Sequence, residues 1–92
     1  MKRRIHLNGK RMITKEVTHS YLKRKFSLPD YYGRNLDALW DLLSTHLKDT
    51  EIQLVHEEAL RKNLGSYGQK LLVLFEDLED LDQGVKGPHR PK

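Results

Sequence analysis

Two aspartates are the first candidates for chemistry in this chain. Asp37 and Asp41 stand four residues apart in the segment DYYGRNLDALWD, so on a helix they would share one face. Paired carboxylates can exchange protons with a substrate or hold a metal ion, and they also form ordinary acidic surfaces. Two tyrosines and a tryptophan in the same segment favour a protein-binding surface, because rigid rings supply contact area and acids select a basic partner.

Other signals for catalysis are weak. The sequence contains no Gly-rich phosphate loop, no HExxH motif and no GxSxG motif. It has no cysteine, which excludes disulfides, thiolate metal sites and cysteine catalysis. The histidines have no metal-ligand spacing, and we expect them at the surface or at strand ends: His6, His19, His46, His56 and His89. We therefore predict that the chain is not an enzyme and needs no cofactor or metal.

The acidic and aromatic segment is predicted to be a loop followed by a helix. Pro29 interrupts helical structure, so the residues around it are expected to form a loop. Asn35 is a good helix N-cap. Apolar residues then recur at i, i+3, i+4 and i+7, which predicts a helix over 36–47: Leu36, Leu39, Trp40 and Leu43. The pattern leaves open whether Trp40 belongs to the core or to the contact surface.

The remaining patterns predict an α/β domain. Alternating residues predict strands over 3–7 and 51–55, and helical spacing, which includes Val17 and Tyr21, predicts a helix over 15–25. Further helices are predicted over 57–64 and 69–81, although a buried strand competes for the apolar run LLVLF in the last of these. The expected architecture is a small parallel sheet packed with about four helices.

The end of the chain carries no apolar pattern. The segment GVKGPHRPK holds two prolines, so residues 85–92 are predicted to be a disordered basic tail following a single domain over 1–84. Two strands of the sheet are clear from the sequence, and a third is doubtful.

Charge is distributed unevenly along the 92 residues, whose net charge is +4. Residues 1–25 carry nine Lys/Arg and one acid, whereas residues 26–58 carry two bases and seven acids. A basic beginning can contact nucleic acid, although a solvated charged face is the commoner explanation. The basic start is followed by no apolar run, and no stretch reaches the roughly 18 apolar residues of a membrane span. We therefore expect a cytoplasmic protein without a membrane partner.

The segment LPDYYGRNLDALWDLL at 28–43 closely resembles the signature of the barstar family, bacterial inhibitors of the secreted ribonuclease barnase. The loop, the N-cap asparagine, the paired aspartates and the tryptophan keep the family's spacing. The resemblance implies a parallel sheet whose third strand comes last. It also implies a loop and helix that enter the active site of a ribonuclease, which is barnase-like or related and basic.

The resemblance also implies roles for individual residues. Tyr31 matches a tyrosine that packs over the enzyme's catalytic residues, and Asp37 matches an aspartate paired with basic groups. Asp41 matches the aspartate whose carboxylate stands in for an RNA phosphate. The whole implied contact set is Tyr31, Tyr32, Gly33, Asn35, Leu36, Asp37, Trp40, Asp41, Ser44 and Asp77. In the last helix, Glu76 and Glu79 compete with Asp77 for this role.

Two functions remain open from the sequence. The first is inhibition of a ribonuclease by the acidic and aromatic segment, with one aspartate mimicking a phosphate. The alternative is a basic nucleic-acid- or ribosome-binding module with a barstar-like fold, which would use the cations of residues 1–25. Against this alternative, the aromatic residues of the contact segment lie among the acids and not among the bases.

Overall fold

A computed structural model describes residues 3–81 and 84–89. Two helices lie between each strand and the next, so the described chain has three strands and four helices, with one 3₁₀ turn at Gly9–Arg11. The elements are β1 (Arg3–Asn8), α1 (Lys15–Phe26), α2 (Leu36–His46), β2 (Thr50–Val55), α3 (Glu57–Leu64), α4 (Ser66–Glu79) and β3 (Lys86–His89). The predicted α/β class is confirmed.

The three strands form one parallel sheet in the order β1-β2-β3, with β2 at its centre. Ile5 pairs with Ile52, and Leu7 pairs with Leu54. All four of these side chains are buried, whereas Val55 is 49% exposed. Since successive strand residues point to opposite faces, one face of the sheet is directed into the core and the other towards solvent.

The helices bury apolar stripes in the core, where α1 and α4 pack on strands of the sheet and α2 packs on α4. In α4 the run LLVLF forms part of the helix and not a strand, and Leu71, Leu72, Leu74 and Phe75 are all buried. Phe75 stacks on Phe26 of α1 with ring centroids 6.3 Å apart. The core therefore joins the first helix to the last.

A third strand corrects the prediction for the end of the chain. Val85 is only 3% exposed, and Lys86–His89 pairs with β2, so a disordered tail is wrong for residues 85–89. Residues 90–92 lie outside the described residues. At Gly87 φ is +116°, and a Cβ would lie 2.1 Å from the Ile52 carbonyl oxygen, so glycine is required there. Pro88 is tolerated because the strand lies at the edge of the sheet.

Among the residues that the structure describes, no helix combines the length and apolar character needed to cross a bilayer.

Burial of Val85 can be tested against a matched residue. Val85→Ala should lower the free energy of unfolding by about 1.5–2.5 kcal/mol, because buried methyl groups are lost and a cavity remains. Val55→Ala removes the same atoms from an exposed position and should cost less than about 1 kcal/mol. Urea unfolding of both variants measures the difference, and equal losses would show that the third strand does not dock.

Candidate functional site

The contact helix α2 begins at a well-formed N-cap. Asn35 has extended backbone angles, φ −143° and ψ 172°, and its side-chain oxygen accepts a hydrogen bond from the Ala38 amide at 2.8 Å. Its side-chain nitrogen donates to the Gly33 carbonyl at 3.2 Å. One side chain therefore fixes both the last turn of the loop and the first turn of the helix, as the sequence predicts.

The two aspartates of α2 are exposed and lie on one helical face. In the part of the chain that the structure describes, neither carboxylate forms a hydrogen bond or an ion pair. The hydrogen bond that Thr45 donates at 2.6 Å goes to the backbone carbonyl of Asp41 and not to its side chain. Asp37 lies in the first turn, near the positive end of the helix dipole. Both carboxylates are therefore available to a cationic partner.

The opposite side of α2 holds the helix in place. Leu39 is fully buried, and Leu43 is 2% exposed. Trp40 and Leu36 are half-buried and pack against the core cluster. The Trp40 side chain therefore packs against the core and keeps some accessible surface, and its role in contacting a partner stays a prediction.

Neighbouring tyrosines in the loop face opposite ways. Tyr31 is 79% exposed, the most exposed of the large apolar side chains described, whereas Tyr32 is only 4% exposed. The placement of Tyr31 suits a contact residue. The expectation that Tyr32 touches a partner directly does not fit its burial, because the preceding turn directs its ring inward.

The buried Tyr32 is joined to two helices through a histidine. Its hydroxyl lies 2.5 Å from Nδ1 of His19 in α1, and Nε2 of the same ring lies 2.5 Å from the hydroxyl of Tyr67 in α4. A neutral imidazole has one donor and one acceptor nitrogen, so one tyrosine donates to the ring and the other accepts from it. This tyrosine–histidine–tyrosine chain connects the contact loop to both helices.

His19 is buried, which corrects its predicted surface location. Burial lowers the pKa of His19, the positive charge of Arg34 lowers it further, and Glu16 acts in the opposite direction. Burial raises the pKa of both Tyr32 and Tyr67. All three groups are therefore neutral near pH 7, which suits a shared set of hydrogen bonds inside the protein.

The outer part of the loop is attached to α1 more weakly. Lys23 donates to the Asp30 carboxylate at 2.9 Å, and this hydrogen bond, together with the lysine's charge, lowers the pKa of Asp30. The Tyr32 amide donates to the Pro29 carbonyl at 3.0 Å, which closes a turn. The ion pair is exposed and adds little stability, so the turn and Tyr32 set the shape of the loop.

The remaining predicted contact residues lie on α2 and α4. Ser44 is half-buried one turn after Asp41, and Gly33 is exposed in the loop. Asp77 is exposed on α4, which packs against α2, and Glu76 and Glu79 are exposed as well. No group of three potential metal ligands occurs among the residues described. Sequence reasoning missed His19 and Tyr67 as supports, because no motif marks an interaction between residues 48 positions apart.

The fold and the site together define a small α/β protein with an exposed acidic and aromatic surface on a rigid helix. Comparison with known families matches residues 2–87 to the model described as "Barstar (barnase inhibitor)". A Bacillus subtilis (strain 168) protein described as "Putative ribonuclease inhibitor YrdF" is 41% identical over 80 residues, which cover 85% of this chain and 87% of that protein. The chain belongs to the Barstar family.

The buried histidine makes stability depend on pH. In the unfolded chain His19 takes up a proton near its ordinary pKa of 6.5, whereas the folded chain resists protonation until a lower pH. The unfolded state then binds more protons, so the free energy of unfolding should fall as pH drops from about 7 to about 5. His19→Gln should lower stability at pH 7 by about 1–3 kcal/mol and flatten this slope.

Urea unfolding at several pH values measures the effect. His46→Gln is the control, since His46 is exposed in the last turn of α2. It should keep the wild-type slope. A His19→Gln protein with an unchanged slope would contradict the buried neutral histidine.

Proposed function

We propose that this chain inhibits a ribonuclease by covering its active site with the loop and the first turns of α2. We call this region the contact surface and define it as Tyr31, Gly33, Asn35, Asp37, Asp41 and Ser44. The observation that carries the proposal is the pair of exposed carboxylates on one face of a capped helix, which follows a loop with an exposed tyrosine. Membership of the Barstar family supports the same function.

The chemistry follows from what a ribonuclease must contain. Its active site stabilises phosphoryl charge with arginine, lysine and histidine side chains. A carboxylate at the position of the phosphate accepts charge-assisted hydrogen bonds from these groups, and arginine can donate two at once. We assign the phosphate position to Asp41 and a neighbouring cation to Asp37, one helical turn away. Tyr31 then packs its ring over the catalytic groups.

Rigidity of the contact surface favours tight binding. Binding costs less entropy when the groups are already held in the bound geometry. Here the Asn35 cap fixes the start of the helix, and the tyrosine–histidine–tyrosine chain holds the loop from beneath. We therefore propose that Tyr32 acts indirectly, by supporting the residue before it.

Three further residues complete the proposed interface. Leu36 and Trp40 contribute apolar surface at its edge, since both are half-buried. Asp77 contributes an additional acid from α4, the helix that packs against α2. The target is a basic ribonuclease in the cytoplasm, before it is exported, and the chain itself performs no catalysis.

Net charge and local charge act in opposite directions on such a partner. The chain carries +4 overall, but residues 26–58 hold seven acids against two bases. Exposed charges separated by more than about 8–10 Å are largely screened at physiological salt. The acids of the contact surface therefore dominate once the proteins are close.

Replacement of Asp41 tests the phosphate mimic. Asp41→Ala and Asp41→Asn should each weaken binding to a barnase-class ribonuclease by at least about 2 kcal/mol, because the second variant keeps the shape but loses the charge. Inhibition titrations measure the affinity. The free energy of unfolding should change by less than about 0.5 kcal/mol, since the side chain is exposed and unpaired in the described structure.

Glu58→Gln is the control for a general loss of negative charge. Glu58 is exposed on α3, outside the contact surface, and its removal should change the affinity less than about threefold. Full inhibition by Asp41→Asn, or an equal loss in Glu58→Gln, would argue against a phosphate mimic at Asp41.

The two tyrosines should separate binding from stability. Tyr31→Ala should weaken binding by about 2 kcal/mol or more and leave unfolding nearly unchanged, because the ring is exposed. Tyr32→Ala should instead lower the free energy of unfolding by about 3 kcal/mol, because it removes a buried ring. Titration and urea unfolding of both variants measure the two effects. The reverse pattern would mean that the tyrosines have exchanged roles.

A further inference from the structure

A second charged surface lies along α1, outside the contact surface. Three adjoining depressions of about 380, 400 and 240 Å³ run along this helix. Arg24 lines all three, Ser20 lines the first two, and Tyr21 lines the first and third. Because they share lining residues, the three depressions lie side by side and together make up one furrowed surface. We call it the basic furrow and define it by His6, Arg11, Lys23, Arg24, Lys25 and Arg34.

The cations of the basic furrow are poorly neutralised. Lys23 is paired with Asp30, and Glu16 is the other acid in the lining. Within the described residues, Arg11 and Arg34 form no ion pair. Positive charges held close together repel one another, so an anionic ligand that fills the furrow would relieve this repulsion.

Two cations of the basic furrow lie close to the ring of Tyr21. Arg24 lies 5.6 Å and Lys25 lies 5.7 Å from the centroid of Tyr21. The tyrosine itself is 7% exposed, and its hydroxyl accepts a hydrogen bond from the Asn8 amide at 2.9 Å. Tyr21 therefore positions the cations from below but offers no stacking face to a ligand.

We propose that the basic furrow binds the phosphodiester backbone of a single-stranded nucleic acid. A row of adjoining depressions suits a linear polymer, and arginine forks match phosphate oxygens in pairs. Hydroxyls of Ser20 and Ser27 line the same walls and can donate to phosphates as well. Among the described lining residues, the imidazole of His6 is the one accessible ring, because Tyr21 is covered. A single ring predicts little preference for base sequence, since stacking on several rings is the usual source of base contacts.

An acidic protein is a poorer match for this surface. Protein interfaces bind through buried aromatic or large apolar anchors at their centre. The described lining offers Val17 and Val55 as exposed apolar side chains and Leu28 as a partly buried one, and its tyrosine is covered. A ligand held mainly by charge should be linear and densely charged, as a phosphodiester chain is.

The proposal is independent of ribonuclease inhibition. The furrow follows α1 and the end of β1, whereas the contact acids lie on α2. The two surfaces adjoin at the loop, where Asp30 and Arg34 line the second depression. Its test therefore uses the full chain and no ribonuclease. Failure of this test leaves the inhibition proposal unaffected, and the reverse also holds.

Fluorescence anisotropy with a labelled twelve-nucleotide oligouridine tests the proposal. Wild-type protein should bind at low salt, and the logarithm of the affinity should fall with the logarithm of salt concentration with a slope of about −3, as expected for roughly four phosphate contacts at about 0.7 each. No binding at about 50 mM salt would overturn the proposal.

Two double variants with equal charge loss give the decisive comparison. Arg11→Gln with Arg24→Gln should weaken binding at least fivefold and reduce the slope by about 1.4, which corresponds to two lost contacts. Lys62→Gln with Lys70→Gln removes two exposed cations from α3 and α4 and should change affinity less than twofold. Equal losses in both variants would overturn the furrow as a site, since net charge alone would then explain binding.

A peptide of twelve glutamates separates the two classes of macromolecule. It carries similar charge but lacks phosphates, and we expect it to compete at least tenfold less well than unlabelled oligouridine. Equal competition would assign the furrow to an acidic protein and overturn the nucleic-acid proposal.

Discussion

The position of His19 between two tyrosines is the constraint on which the rest of the structure depends. Its ring joins Tyr32 of the contact loop to Tyr67 of α4 while lying on α1 itself. Three elements distant in sequence are therefore fixed by two short hydrogen bonds in a buried site. Each bond has a net value of about 1 kcal/mol, but leaving any of these polar groups buried without its partner would cost more. This asymmetry makes one loop geometry strongly preferred.

That constraint separates the residues that stabilise the protein from those available for binding. Tyr32, Leu39 and Leu43 face inward and hold the loop and α2 against the rest of the core, which includes α4. Tyr31 and the two aspartates face outward and contribute little to the folded state. Because the supporting side chains are buried, substitutions of the outward-facing groups can alter binding to a partner without lowering the stability of the fold. The basic furrow on α1 is arranged in a similar way, because the buried ring of Tyr21 supports the cations above it.

Local signals in the sequence predict most of the helices and strands. They fail where contacts with distant parts of the chain determine the structure or burial of a residue. Asn35 marks the start of α2 because its side chain satisfies a backbone amide of its own helix. The third strand is not predictable in this way, since the segment around Gly87 pairs through its backbone and its close approach to Ile52. His19 and Val17 show the same limit on α1: the polar histidine is buried, and the apolar valine is 45% exposed. The burial of His19 depends on tyrosines that other elements supply, which the α1 sequence cannot show.

Competition with an active-site nucleotide tests the account's central claim most directly. A barnase-class ribonuclease is titrated with this protein at about 150 mM salt while a guanosine 3′-monophosphate occupies its phosphate site. If Asp41 stands in for a phosphate, the apparent Kd should rise in proportion to one plus the nucleotide concentration divided by its own dissociation constant. An apparent Kd that does not change at saturating nucleotide would place the inhibitor elsewhere on the enzyme and contradict the account.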